Sequence, residues 1–251
     1  MVKSLDFFRM PLRKGEEGMH EQLHSPAGKF LRHAIFGMSD GLVSTLTMLA
    51  GSVGASLDKQ IILIVGLITM LAGAISMALG TYISTKSQVE FYRREVKKES
   101  EDLKRLPQVE KDHVRDIYKA KGFKGRELDL IVHRLTSNRS VWLDVLVSEE
   151  LGLSKGKMEN AFTASFVMFF AFIFGSFIPL SSFVFVPVTF AMKMAMISSL
   201  AMLFLAGAGK THFTGRNWVK SGGEMVFVAA LATLVSFYTG YLISQFVPYL
   251  V

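Results

Sequence analysis

Two groups of residues in this 251-residue sequence have the types and spacing to hold a metal ion. In the first group, Glu99 and Asp102 stand three apart, as do Glu110 and His113. Residues three apart share a helix face, so each pair can offer two oxygen or nitrogen donors to one cation. Glu149 and Glu150 follow on a later segment with helical spacing. The alternative is a solvated face, because KKESEDLKR interleaves such acids with lysines. The second group centres on Asp40, which interrupts the apolar run AIFGMSDGLVSTLTMLAGSVGAS. A carboxylate in the middle of a bilayer-spanning helix costs on the order of 3 kcal/mol, so it is neutral, paired, or faces a polar cavity. Ser44 and Thr47 share its helix face. The next apolar run carries Met70, Gly73, Met77, Thr81 and Ser84 at steps of three and four. Oxygen donors beside a thioether suit a borderline divalent transition metal better than magnesium or calcium. The structural alternatives are an ion pair between Asp40 and a cation such as Lys193, and plain packing for Met77.

The elements that must position these residues follow from where charge is missing. Residues 61–84, 161–192 and 225–251 contain no Asp, Glu, Lys or Arg. A hydrocarbon core of about 30 Å is crossed by roughly 20 apolar helical residues, which excludes an ordinary soluble globule. The expected architecture is an all-α integral membrane protein. Its five spans lie near 34–56, 61–84, 160–180, 187–208 and 224–247, with Pro179 and Pro187 bracketing the third turn. A small helical domain sits between the second and third spans. The resulting division is an N-terminal segment 1–33, spans one and two over 34–85, a charged domain 86–158, and spans three to five over 159–251. Residues 1–33 lack the apolar core and cleavage site of a secretory signal. Cysteine is absent, which excludes disulfides and Cys-based metal sites.

Of the 28 Lys and Arg residues, 26 fall on one side of this topology, Lys59 on the other, and Lys193 inside a span. Basic residues stay on the cytoplasmic side, so the N-terminus is expected there. The net charge of +7 then reflects cytoplasmic loops and implies no nucleic-acid partner. On the same topology Asn138-Arg-Ser140, a glycosylation acceptor by pattern, stays unmodified. His20 and His24 are expected to be solvated.

The segment 86–159 holds 17 Lys and Arg against 14 Asp and Glu. It reads as four short helices near 86–105, 108–120, 125–136 and 140–151, the first continuing the second span into water. Pro107, Gly122, Asn138 and Gly152 punctuate them. A unit of this size has a small core, with Tyr118, Trp142 and Leu146 as its anchors.

Arg32 to Ala55, RHAIFGMSDGLVSTLTMLAGSVGA, resembles the first span of the vacuolar iron transporter family, which includes the yeast calcium-sensitivity homologue. LAGAISMALGTYISTKSQ, IYKAKGF, WLDVLVSEELGL, FGSFIPL and LAGAGKTHFTGRNWVKSGGEM are similar to later family elements, in order, over about 30–245. The resemblance implies a five-span homodimer with a cytoplasmic metal-binding domain. It implies export of ferrous iron, and in some members manganese, from the cytosol in exchange for protons. The path lies at the dimer interface, lined by the first two spans. The family's intramembrane aspartate falls on Asp40 and its second-span methionine on Met77. Its soluble ligands fall on Glu99, Asp102, Glu110, His113 and Glu150. Several positions depart from the pattern. Leu146 and Val147 replace a methionine pair, His113 replaces an acid, Asp102 is a shortened acid, and Thr81 replaces a frequent glutamate. The soluble site is therefore harder, and manganese, cobalt or zinc join iron as candidate substrates.

The leading function is a proton-coupled divalent metal exporter that is not an enzyme and holds no permanent cofactor. Its pathway residues are Asp40, Ser44, Thr47, Met77 and Thr81. The membrane is the cell membrane in a prokaryote or the vacuolar membrane in a eukaryote. A membrane-embedded lipid-modifying enzyme would need several Asp or His residues near one another in the spans, where only Asp40 is found. A metal sensor or scaffold would need the soluble carboxylates but not Asp40.

Overall fold

The computed structural model describes residues 26–150, 152, 158–211, 215 and 217–246. His20 and His24 lie outside them. Among the described residues, the regular structure is helical throughout: α1 (Pro26–Gly54), α2 (Lys59–Arg105), α3 (Pro107–Ala120), α4 (Gly125–Thr136), α5 (Arg139–Val145), a π-helical turn (Leu146–Glu150), α6 (Ala161–Phe185), α7 (Val188–Gly209) and α8 (Trp218–Phe246). Five of these, α1, α2, α6, α7 and α8, are long and apolar enough to cross a membrane. The all-α, five-span expectation therefore stands.

Two compact units result: the described residues up to 81 with those from 162 on, and the described residues from 82 to 161. α2 carries residues of both. Its 47 residues extend to about 70 Å at 1.5 Å per residue, far beyond a hydrocarbon core. The apolar part ends near residue 84 and the charged part follows.

One boundary differs from the sequence reading. Pro179 does not help to form a turn. It lies buried inside α6, which continues to Phe185, and only Pro187 marks the turn as the residue preceding α7. A proline in a span removes one backbone hydrogen bond, which close packing of neighbouring helices makes tolerable. Pro179 is buried beside Leu180 and Phe183, which cluster with Leu46 and Leu49 of α1, Ile62 of α2 and Ala191 and Ala195 of α7. The turn between the first two spans also comes earlier than expected. α1 ends at Gly54, Ser56 adopts a left-handed backbone (φ 59°), and α2 begins at Lys59.

In the first unit α1 is central, packing along α8 and α7. Leu46, Leu49, Ile62, Leu180, Phe183, Ala191 and Ala195 form one buried cluster, and Leu42, Leu203 and Ala229 form another. Lipid is as apolar as these side chains, so close backbone approach must supply much of the packing. Two positions show it. A Cβ at Gly41 would run into the carbonyl oxygen of Phe172 on α6, and one at Gly240 on α8 would run into the carbonyl oxygen of Gly51. The helix carrying Asp40 is thus fixed against α6 beside the acid and against α8 several turns away. Gly240→Ala is expected to cost about 1–3 kcal/mol through overpacking. A lower melting temperature of the detergent-solubilised protein would report this, and an unchanged one would contradict the close approach.

In the second unit Leu103, Val114, Leu128, Val132 and Leu146 form the core, with Tyr118, Phe123, Leu135, Trp142 and Leu143 packed around it. The apolar spacing of α3 and α4 aims Val114, Leu128 and Val132 inward. Asn138 caps α5, its Oδ1 accepting from the Ser140 backbone N–H at 2.9 Å. The Ser140 hydroxyl donates to the same oxygen, also at 2.9 Å.

Candidate metal centre and intramembrane carboxylate

In the charged unit, α3 presents Glu110 and His113 on one face, and the π-helical turn delivers Glu150 to them. One donor atom from each of the three lies within 4.8 Å of the others. His113 Nδ1 stands 3.4 Å from Glu110 Oε2 and 3.6 Å from Glu150 Oε1. A cation with bonds of about 2.1 Å holds its ligands no more than about 4.2 Å apart, so a small contraction of side chains is enough to bind one. Glu110 Oε2 and His113 Nδ1 are both buried and make no hydrogen bond. Buried polar atoms normally have partners, and here two adjacent atoms of ligating type have only each other, at 3.4 Å, and the Glu150 carboxylate nearby, an arrangement that suits a cation.

Glu99 and Asp102 lie outside this triad of donors but inside its electric field. Burial pushes the Glu99 carboxyl above its ordinary range, and repulsion from Glu150, Glu110 and Asp102 adds to the shift, while Lys98 opposes it. Burial also pushes Glu110 up. His113 opposes that shift, and Glu150 and Asp102 reinforce it. Charge on Glu99 and on Glu110 is therefore disfavoured by burial and by neighbouring acids, a strain that a divalent cation relieves. Glu99 and Glu110 are 7% and 6% exposed, so the solvated-face alternative does not describe them. Leu146 and Val147, at the positions of the missing methionine pair, are buried apolar residues.

In the other unit Asp40 is half-buried on α1. No Lys, Arg or His of the described residues pairs with its carboxylate, and Lys193 stands exposed on α7. The ion-pair alternative is thus not the arrangement found. The Ser44 hydroxyl donates to the Asp40 backbone carbonyl at 2.5 Å, and that of Thr47 to the carbonyls of Val43 and Ser44 at 2.9 Å each. Their protons are spent on their own helix, so these hydroxyls offer a cation lone pairs only. Met77 and Thr81 are half-buried on α2. Sequence reasoning missed Ser39 and Thr45, whose hydroxyl oxygens are buried on α1 without a hydrogen-bond partner. The polar SDGLVST stretch gave a signal for them, but a helical pattern does not say which hydroxyls lose their partners.

A family model for the VIT family matches residues 31–241. The chain belongs to the VIT family. It is 35% identical over 219 residues to a protein of Arabidopsis thaliana named Vacuolar iron transporter 1, covering 87% of this chain and 88% of that one. A protein of the same name from Oryza sativa subsp. japonica is 30% identical over 246 residues, covering 94% and 96%. The Vacuolar iron transporter of Plasmodium berghei is 31% identical over 234 residues, covering 89% and 86%. VIT family members are transporters and not enzymes, so the lipid-modifying enzyme falls away as an alternative.

Proposed function

We propose that this VIT family protein carries a divalent transition metal, ferrous iron or manganese, out of the cytosol in exchange for protons. The relatives' names supply iron transport as the coarse reading. The observation that carries the mechanism is Asp40, an acid without a cationic partner among the described residues in a helix of bilayer length. Metal collects on Glu110, His113 and Glu150, with Glu99 and Asp102 adding negative field. It then passes to Asp40 and Met77, where Ser44, Thr47 and Thr81 contribute oxygen atoms. A proton and a cation compete for the same carboxylate, so protonation of Asp40 from the far side releases the metal there.

Two copies form the working unit in this reading, with α1 and α2 of each lining the path. Leu71, Ile75 and Leu79 of α2 are largely exposed within a single chain, which leaves that surface to lipid or to a second copy. The distribution of basic residues supports a cytoplasmic N-terminus and, with it, a charged unit on the cytoplasmic side, where the metal is gathered. The vacuolar membrane is the location in a eukaryote and the cell membrane in a prokaryote.

Proteoliposomes with an acidic lumen test the reading. Ferrous iron or manganese should accumulate inside while the gradient lasts, and a protonophore should stop it. Flux equal to that of empty liposomes would sink the transporter reading. Flux indifferent to the gradient would remove the exchange and leave the transport.

A further inference from the structure

We infer that Lys121 is a positioning residue of the metal centre: by holding Glu149 it sets the π-helical turn that aims Glu150 at His113. The inference rests on reading Glu110, His113 and Glu150 as metal ligands. Glu149 and Glu150 are chain neighbours, with Cα atoms about 3.8 Å apart. Their partners are not neighbours. Glu150 meets His113 within α3, whereas Glu149 meets Lys121, just past its end, at 2.5 Å. Eight residues separate the Cα atoms of those partners by about 12 Å along a helix. The two glutamates are thus splayed along α3, each taken by a different part of it. A π-helical turn widens the spacing of side chains and recurs at functional sites. Here it occupies Leu146–Glu150, the segment that must perform the splaying.

Lys121 is itself held. Its ammonium lies 5.0 Å from the centroid of the Tyr118 ring, and Tyr118 packs against Phe123 and the core of the unit. On the other side of the turn Leu146 and Val147 are buried, and the Ser148 hydroxyl donates to the Asp144 carbonyl at 2.6 Å. The turn is anchored by apolar burial at its start and by Lys121 next to its last residue. Side chains of Lys121 and Glu149 are 42% and 36% exposed, and an ion pair so exposed adds little to stability. Its consequence is geometric. Without it Glu149 is free, the end of the turn relaxes, and Glu150 loses its fixed approach to His113.

Co2+ binding to the full-length protein in detergent tests this, by calorimetry and by the visible d–d absorption, which follows coordination geometry. Lys121→Met and Glu149→Ala should each weaken binding about tenfold, the low end of what outer partners of metal ligands are worth. Each should alter the d–d bands, and the double variant should be no worse than either single one. Lys121→Arg should restore both readouts, and thermal melting should scarcely move in any of them. Wild-type affinity and spectrum in Lys121→Met and Glu149→Ala would overturn the inference. So would tighter binding in Lys121→Met, the result expected of a lysine that acts only by its positive charge. Co2+ binding by the wild type that is indifferent to Glu150→Gln would remove the metal-centre reading itself, and this inference with it.

Discussion

Asp40→Asn is expected to reduce metal flux through reconstituted protein by at least about 100-fold, more than the loss of an outer partner of a metal ligand costs. The amide keeps the size and shape of the carboxyl, so packing against α6 at Gly41 is undisturbed. What disappears, on the proposed mechanism, is the negative charge that binds the cation and the proton that releases it. Folding should not suffer. An acid at bilayer depth costs roughly 2.5–3.5 kcal/mol on insertion scales, and no cation among the described residues offsets that cost for Asp40. The Asn variant should therefore insert and melt at or above the wild-type temperature. Co2+ binding by the charged unit should be intact, because its donors lie on α3 and the π-helical turn. Opposite signs in flux and stability mark a residue kept for function. Near wild-type flux in Asp40→Asn would show a structural role for the acid, and reduced stability would show a partner that the structure does not contain.

Much of the architecture was legible because the membrane imposes a coarse signal. Stretches of about 20 uncharged residues cannot be hidden in sequence, and Pro107, Gly122 and Asn138 each fall at a helix boundary where expected. Pro179 misled because proline breaks helices in water but persists in spans whose neighbours pack around it. In the charged unit, spacing of three pointed to Glu110 with His113, since both sit on one regular helix. Glu149 and Glu150 stood out together on a later segment, and only the family resemblance singled out Glu150. Its position depends on a π-helical turn and on the splaying of two adjacent glutamates, and neither leaves a periodic trace. Lys121 was invisible for the same reason, because nothing in a sequence ties residue 121 to residue 149. The hydroxyls of Ser44 and Thr47 were read as polar walls, yet their donors close on their own helix, a choice local geometry makes after the face is set.

Combined replacement of Glu110 by Gln, His113 by Ala and Glu150 by Gln is expected to lower Co2+ or Mn2+ affinity by at least about 100-fold while leaving the apo protein no less stable near neutral pH. The first part follows from geometry, since the three residues supply the donors within 4.8 Å of one another. The second follows from linkage. Burial and neighbouring acids raise the Glu99 and Glu110 carboxyls in the folded protein, whereas in the unfolded chain a glutamate titrates near about 4.3. Between the ordinary and raised values the folded state binds more protons than the unfolded one, so apo stability falls as pH rises through that window. The favourable contribution is fully present below the ordinary value and gone above the raised one, and neutral pH lies on the costly side. Glu110→Gln removes one of the raised acids, and Glu150→Gln removes a repulsion felt by both. In the apo protein at neutral pH these changes relieve strain, which offsets the packing lost at His113. Metal competes with the proton for the same atoms. Affinity in the wild type should fall as pH is lowered from neutrality towards the raised carboxyl range, since each proton bound there opposes the cation. Calorimetric titration across that range, with thermal melts of apo and metal-loaded protein, measures both effects. Retained affinity in the triple variant would place the metal elsewhere. A large loss of apo stability would show that the acids and imidazole hold the unit together, and the cluster would then be a structural network instead of a site kept open for a cation.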